Sequence, residues 1–212
     1  ATDAAGNEGT ASFTVTVVLE STTSLDCSNY CTFGSQGSNN NQFNYPFGLA
    51  LDNSGNIYVA DESNYRIQKF DSSGNYLMTI TGNFPEPKGV TVDNNGNIYV
   101  ANIHADAVQK FSPTGTLLLT INFGCCSAAT EDVAVDSSGN IYVAHIYEVE
   151  KFSSSGNSLM TFSPNSNNLG NGCSGGCQPA GVAVDSSGNV YVAITQGVIE
   201  KYGPSGNLIW SF

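Results

Sequence analysis

A chain of 212 residues with 18 Asp and Glu against 6 Lys and Arg, for a formal charge of -12, has too few cations to neutralise a run of phosphates or to settle on anionic lipid headgroups. Its 40% apolar content can fill a core, yet its longest apolar stretches, such as Val15 to Leu19 with Phe13 before it, are far shorter than the roughly 20 residues that cross a bilayer. Nucleic acid and a membrane span are excluded as expectations, and 23 glycines without long Ala, Leu, Glu or Lys runs point to an all-β protein rich in turns.

Residues 1–7 carry neither a basic region nor an apolar one, so the start is expected to be a cut or processed end. From Thr10 the chain alternates, with Phe13, Val15 and Val17 against Thr14 and Thr16. This predicts a strand with one apolar face that needs a sheet, in its own chain or in another subunit. Ala1 to Thr10 followed by Ala11-Ser-Phe-Thr-Val-Thr-Val-Val resembles the closing turn and last strand of a hyalin-repeat or other immunoglobulin-like domain, so residues 1–20 are set apart. Residues 21–45 read as a polar loop holding Cys27, Cys31 and the run Asn39-Asn-Asn41.

From residue 46 the chain repeats itself. Gly48-Leu-Ala-Leu-Asp-Asn-Ser-Gly-Asn-Ile-Tyr-Val-Ala60 returns at Gly89–Ala101, Asp132–Ala144 and Gly181–Ala193, with Asp52, Asp93, Asp136 and Asp185 spaced by 41, 43 and 49 residues. That period suits one four-stranded propeller blade per repeat. In the first unit Gly48–Leu51, Asn56–Ala60, Arg66–Phe70 and Tyr76–Ile80 are the predicted strands, with glycine turns at Asp52–Gly55 and Asp71–Gly74. The second turns of the later units are Ser112–Gly115, Ser153–Gly156 and Gly203–Gly206, and the predicted blades span about 46–82, 87–123, 131–163 and 179–212.

The stretch Pro46 to Asp61 resembles the NHL-repeat family of β-propellers, whose Pro-x-Gly-apolar-Ala-x-Asp and Gly-Asn-Ile-Tyr-Val-Ala-Asp pattern it follows almost letter for letter, and the resemblance extends over 46–212. The first unit also keeps the family's Asn64-x-Arg66-Ile67 tail, from which the later units depart. The resemblance implies a propeller, normally of about six blades, so four blades with an orphan strand suggest a fragment, a compact four-bladed ring or a subunit completed by its own copies. It also implies that an enzyme of this kind, a metal-dependent lyase or lactonase, would place histidines and a metal in the central channel.

Chemistry-bearing residues fall into a few sets. The four Asp-x-x-Gly-Asn turns offer oxygens of the kind calcium prefers, but a tight hairpin accounts for them, and no cofactor is expected. Lys69, Lys110, Lys151 and Lys201 share one position in the third strand, where the lysine stem is expected to cover apolar neighbours. His104 and His145 follow the second strands and read as solvent-exposed loop residues, too few for a catalytic zinc. Cys27 with Cys31, Cys125 with Cys126, and Cys173 with Cys177 precede blades and favour disulfides and an extracellular or cell-surface setting. Local 27–31 and 173–177 bridges are the favoured pairing, and for Cys125 and Cys126 a vicinal bond, which needs a distorted peptide, competes with bridging to another loop.

The functional expectation is a secreted, non-enzymatic structural or interaction protein. It would assemble with copies of itself through the Phe13, Val15 and Val17 strand, into a filament if the contact does not close, or dock other extracellular proteins. The alternatives are glycan or peptide binding on the loop face by Tyr30, Phe33, Tyr65 and Tyr147, and the propeller-type lyase or lactonase.

Overall fold

The computed structural model describes residues 32–82, 84–123, 130–145, 147–164 and 178–211. A short parallel pair, β1 (Ser35–Gln36) and β2 (Gln42–Phe43), precedes four antiparallel sheets of four strands each. The first blade is β3 (Pro46–Leu51), β4 (Ile57–Asp61), β5 (Arg66–Phe70) and β6 (Tyr76–Thr81), and the second is β7 (Pro87–Val92), β8 (Ile98–Asn102), β9 (Ala107–Phe111) and β10 (Leu117–Asn122). The third is β11 (Thr130–Val135), β12 (Ile141–His145), β13 (Glu148–Phe152) and β14 (Ser158–Phe162). The fourth is β15 (Pro179–Val184), β16 (Val190–Ile194), β17 (Val198–Tyr202) and β18 (Leu208–Ser211). Each sheet pairs its strands in chain order, so every blade is a meander.

One turn chemistry closes the first hairpin of every blade. Asp52 Oδ1 accepts the Ser54 and Asn56 backbone N–H groups, both at 2.9 Å, while Oδ2 accepts the Asn56 amide at 2.8 Å and the Tyr58 hydroxyl at 3.1 Å. Gly55, at φ +78°, supplies the left-handed residue the hairpin needs. Asp93, Asp136 and Asp185 repeat the same set of bonds with Tyr99, Tyr142 and Tyr191. Both oxygens of each carboxylate are thereby occupied twice, which explains the Asp-x-x-Gly-Asn-x-Tyr spacing without a metal. Over the same tyrosines stand the repeated lysines: the Nζ atoms of Lys69, Lys110, Lys151 and Lys201 lie 4.9 to 5.0 Å from the ring centres.

Blades then stack through their faces. Tyr58, Ala60 and Ile67 of the first blade meet Val90, Ile98, Val100 and Phe111 of the second, and Tyr99, Ala101 and Val108 meet Val133, Ile141, Val143 and Phe152 of the third. Tyr142, Ala144 and Val149 meet Val182, Val190 and Val192 of the fourth. The inner strands follow one another in the same way, β3 on β7, β7 on β11 and β11 on β15; among the described residues no comparable packing returns from β15 to β3.

The Pro-x-Gly start of the repeat is explained by this close approach. A Cβ on Gly48 would lie 2.1 Å from the Lys88 carbonyl oxygen, in backbone that cannot swing aside. Gly48→Ala is therefore expected to lower unfolding free energy by about 1–3 kcal/mol through forced separation of blades one and two, read by urea titration.

The two ends of the stack differ. On the first blade, Val59 and Phe70 are covered by Phe33 and Phe43 from the segment before β3. On the fourth, Ala183 and Ala193 are exposed and Tyr191 and Ile199 half-buried, whereas Tyr58, Ala60 and Ile67 and their counterparts in blades two and three are buried.

Candidate functional site

Three groups of polar residues stand apart from the repeated turn chemistry. The first is the first blade's Asn64-x-Arg66 tail. Asp61, fully buried, accepts from the Asn44 N–H at 2.7 Å, the Asn64 amide at 2.9 Å, Arg66 Nε at 2.7 Å and Gln68 Nε2 at 3.2 Å. Arg66 spends its remaining donors on the carbonyls of Ser38, Asn39 and Gln42, at 2.8 to 2.9 Å. The tail is thus a clamp holding segment 37–44 over the blade. The later blades carry Asn102, His145 and Ile194 where the first carries Asp61, and none of them has the arginine.

The second group surrounds β11. Where the other repeats have Gly48, Gly89 and Gly181, the third has Asp132. Its Oδ1 accepts the N–H of Val133 at 2.9 Å and its Oδ2 that of Val182 on β15 at 3.0 Å, so one carboxylate ties blade three to blade four. Burial outweighs these two bonds and, with Glu131 adding repulsion, pushes its carboxyl up to about 6. Asp132 borders a groove of about 340 Å³ lined by all four inner strands, including Leu49, Val90, Ala134 and Ala183. A carboxylate near pH 6 in a groove is a familiar mark of acid–base sites, but here both oxygens are committed to backbone amides, which makes it a staple. Nearby, His145 is buried, contrary to the expectation of an exposed loop residue: its Nε2 lies 2.9 Å from Asp106 Oδ1, and its ring stacks on Phe123 with 4.4 Å between centres. Thr130 donates to the same Asp106 oxygen at 3.3 Å. Among the described residues no three His, Cys, Asp or Glu side chains converge in a way that could hold a metal.

The third group lies at the ends of the blades where β4 and β8 finish. Lys88 Nζ pairs with Glu131 at 2.6 Å and sits 5.0 Å from the centre of the Phe47 ring. Glu86 pairs with His104, whose side chain is mostly exposed, at 2.9 Å. Glu62 is near enough to feel all four, and burial followed by repulsion from Glu86 raises its carboxyl above the ordinary value. Tyr45, Phe47 and Tyr65 stand largely exposed here, at 74%, 59% and 56%. Tyr45, Tyr65 and Glu86 adopt left-handed backbone at φ 53°, 55° and 60°, unusual for side chains of this size.

Of the residues singled out from sequence, Tyr65 and Tyr147 are exposed, while Phe33 is half-buried and packs on Phe43 and Phe70. Tyr30, the strand residues Phe13, Val15 and Val17, and all six cysteines, Cys27, Cys31, Cys125, Cys126, Cys173 and Cys177, lie outside the described residues. The Asp132 staple and the His145–Asp106 pair were not anticipated. The signal for the first was present, an acid where three repeats have glycine; the second joins residues 39 apart in sequence that no local pattern connects.

Four four-stranded meanders stacked face to face through their inner strands make this a β-propeller fold. Within it, residues 43–70 match the sequence model of the NHL repeat. The same region is similar to Protein lin-41 of Caenorhabditis elegans, 44% identical over 46 residues, and to the B-box type zinc finger protein ncl-1 of that organism, 45% over 47. Each match takes in 22% of this chain and only 4% and 6% of those proteins. Among solved structures, a streptogramin B lyase superposes with a TM-score of 0.66 at 16% identity, over 79% of this chain and 54% of that one. Hydrazine synthase of Kuenenia stuttgartiensis gives 0.65 at 14%, over 78% and 48%, and a Staphylococcus aureus virginiamycin B lyase crystallised with quinupristin gives 0.66 at 13%, over 85% and 57%. At these identities the likeness is one of fold, and the chain spans about half the length of those propellers.

Proposed function

We propose that the chain is a secreted, non-enzymatic propeller module that joins copies of itself and docks other extracellular proteins. The observation that carries this reading is the unmatched face of the fourth blade: Tyr191, Ala193 and Ile199 occupy positions that every earlier blade buries against its successor. An apolar sheet face of this kind is satisfied by another sheet, and the alternating Phe13, Val15 and Val17 segment is a strand with one apolar face of its own. The first blade's corresponding surface is taken by Phe33 and Phe43, so a second copy's first blade cannot stack on the fourth, and the proposed cover is the apolar side of a second copy's donated Phe13, Val15 and Val17 strand. Six cysteines in a weakly charged chain support the extracellular setting.

The test is assembly size by light scattering. The full chain is expected to exceed its 22.2 kDa monomer mass, and both deletion of residues 1–20 and Ala193→Glu should return it toward that mass. Unchanged assembly in the deletion would remove strand addition from the account. Unchanged assembly in Ala193→Glu would remove the fourth blade's face.

A further inference from the structure

We infer that the loop end of blades one and two, around Tyr45, Phe47 and Tyr65, is a docking face for a basic peptide segment rich in arginine. The inference goes beyond self-association and does not depend on it. Three aromatic residues exposed by more than half in one neighbourhood are unusual, because large apolar side chains normally find cover. Backbone bonds bring their chain positions near one another. The Glu62 N–H donates to the Tyr45 carbonyl at 3.3 Å, the Tyr65 N–H donates to the Glu62 carbonyl at 3.1 Å, and Phe47 follows Tyr45 by two residues on β3.

Charge decides what the rings would receive. Around them lie the carboxylates of Glu62, Glu86 and Glu131 against the ammonium of Lys88, paired with Glu131, and the imidazole of His104, paired with Glu86, which leaves Glu62 as the carboxylate without an ion-pair partner among these groups. Over the whole chain 18 Asp and Glu stand against 6 Lys and Arg. An acidic peptide or an anionic glycan would meet repulsion here. A neutral glycan would gain stacking and nothing from the carboxylates. A guanidinium gains both, since it stacks flat on a tyrosine or phenylalanine ring and forks onto a carboxylate. The way Lys88 is held, over the Phe47 ring and against Glu131, shows on a side chain of the protein itself the mode in which an incoming arginine would bind.

The test uses the full chain and a fluorescein-labelled peptide of alternating Arg and Gly, with an alternating Glu and Gly peptide and an uncharged hexasaccharide as comparisons. The arginine peptide is expected to bind and the other two not to, with affinity falling as salt is raised. Phe47→Ala and Tyr45→Ala should each weaken binding about threefold, the loss of one exposed cation–π contact, and Glu62→Gln should weaken it comparably. Glu150→Gln, which removes a carboxylate from β13 of the third blade, serves as the remote control and should leave affinity unchanged. Thermal melts of the variants confirm that each is folded. Equal binding of the arginine and glutamate peptides, preference for the saccharide, or a loss on Glu150→Gln as large as on Glu62→Gln would each overturn the proposal, the last by showing only diffuse attraction to an acidic protein.

Discussion

Asp61→Ala is expected to lower the unfolding free energy by about 3–5 kcal/mol, the range for removing one partner of a buried ion pair. Arg66 is 8% exposed and Asp61 is fully buried. Without the carboxylate the guanidinium keeps its three carbonyl contacts but loses its counter-charge, and the Asn44 N–H, the Asn64 amide and the Gln68 amide lose their common acceptor. Segment 37–44 then loosens, and with it Phe43 and its neighbour Phe33 leave the first blade's outer face. Urea unfolding of Asp61→Ala, Arg66→Ala and the double variant separates the pair from its surroundings: the double variant should lose much less than the sum of the singles, because a lone buried charge is the expensive state. Additive losses, or a loss under about 1 kcal/mol in Asp61→Ala, would show that the clamp does not hold the cap.

The second large expectation concerns pH. Asp132 is held at about 6 against an ordinary 3.8, so between these values the folded protein binds more protons than the unfolded chain. Stability should therefore fall as pH rises from about 4 to about 6, by an amount on the order of 1–3 kcal/mol, and level off above. The raised Glu62 acts in the same direction. The turn carboxylates act oppositely. Asn75 holds Asp71, and Asn189 holds Asp185, below the ordinary value, so their contribution is present above pH 4 and is lost on further acidification. A stability maximum near pH 4–5 follows, and Asp132→Asn should flatten the fall on its alkaline side. Urea midpoints measured from pH 3 to pH 8 on both proteins read this directly; a curve that rises from pH 4.5 to 6.5 in the parent would contradict the placement of Asp132 as a buried carboxylate between blades.

What the sequence made legible was whatever the repeat copied. The all-β propeller class could be read from Asp52, Asp93, Asp136 and Asp185, because a side chain that caps its own hairpin leaves its signature within six residues. The lysine position was equally readable, although the tyrosine ring beneath it was not named in advance; Tyr58 and Lys69 meet across β4 and β5, a register that periodicity alone does not supply. Departures from the repeat carried the information about sites, and these were harder. Asn64-x-Arg66 was visible as a motif, but its targets are backbone carbonyls of Ser38, Asn39 and Gln42, which have no sequence signature. His145 looked like a loop histidine because its partner Asp106 belongs to another blade. The exposed ring of Phe47 lies one residue before the predicted Gly48–Leu51 strand, on a strand that in the structure begins at Pro46, and no sequence pattern says whether a neighbour covers it.

The proposed function requires the chain to associate with its own copies. Sedimentation velocity of the full chain across a wide concentration range is the most direct measurement of it: species heavier than 22.2 kDa that grow with concentration are predicted, and a single 22.2 kDa component at every concentration would contradict the self-assembling reading.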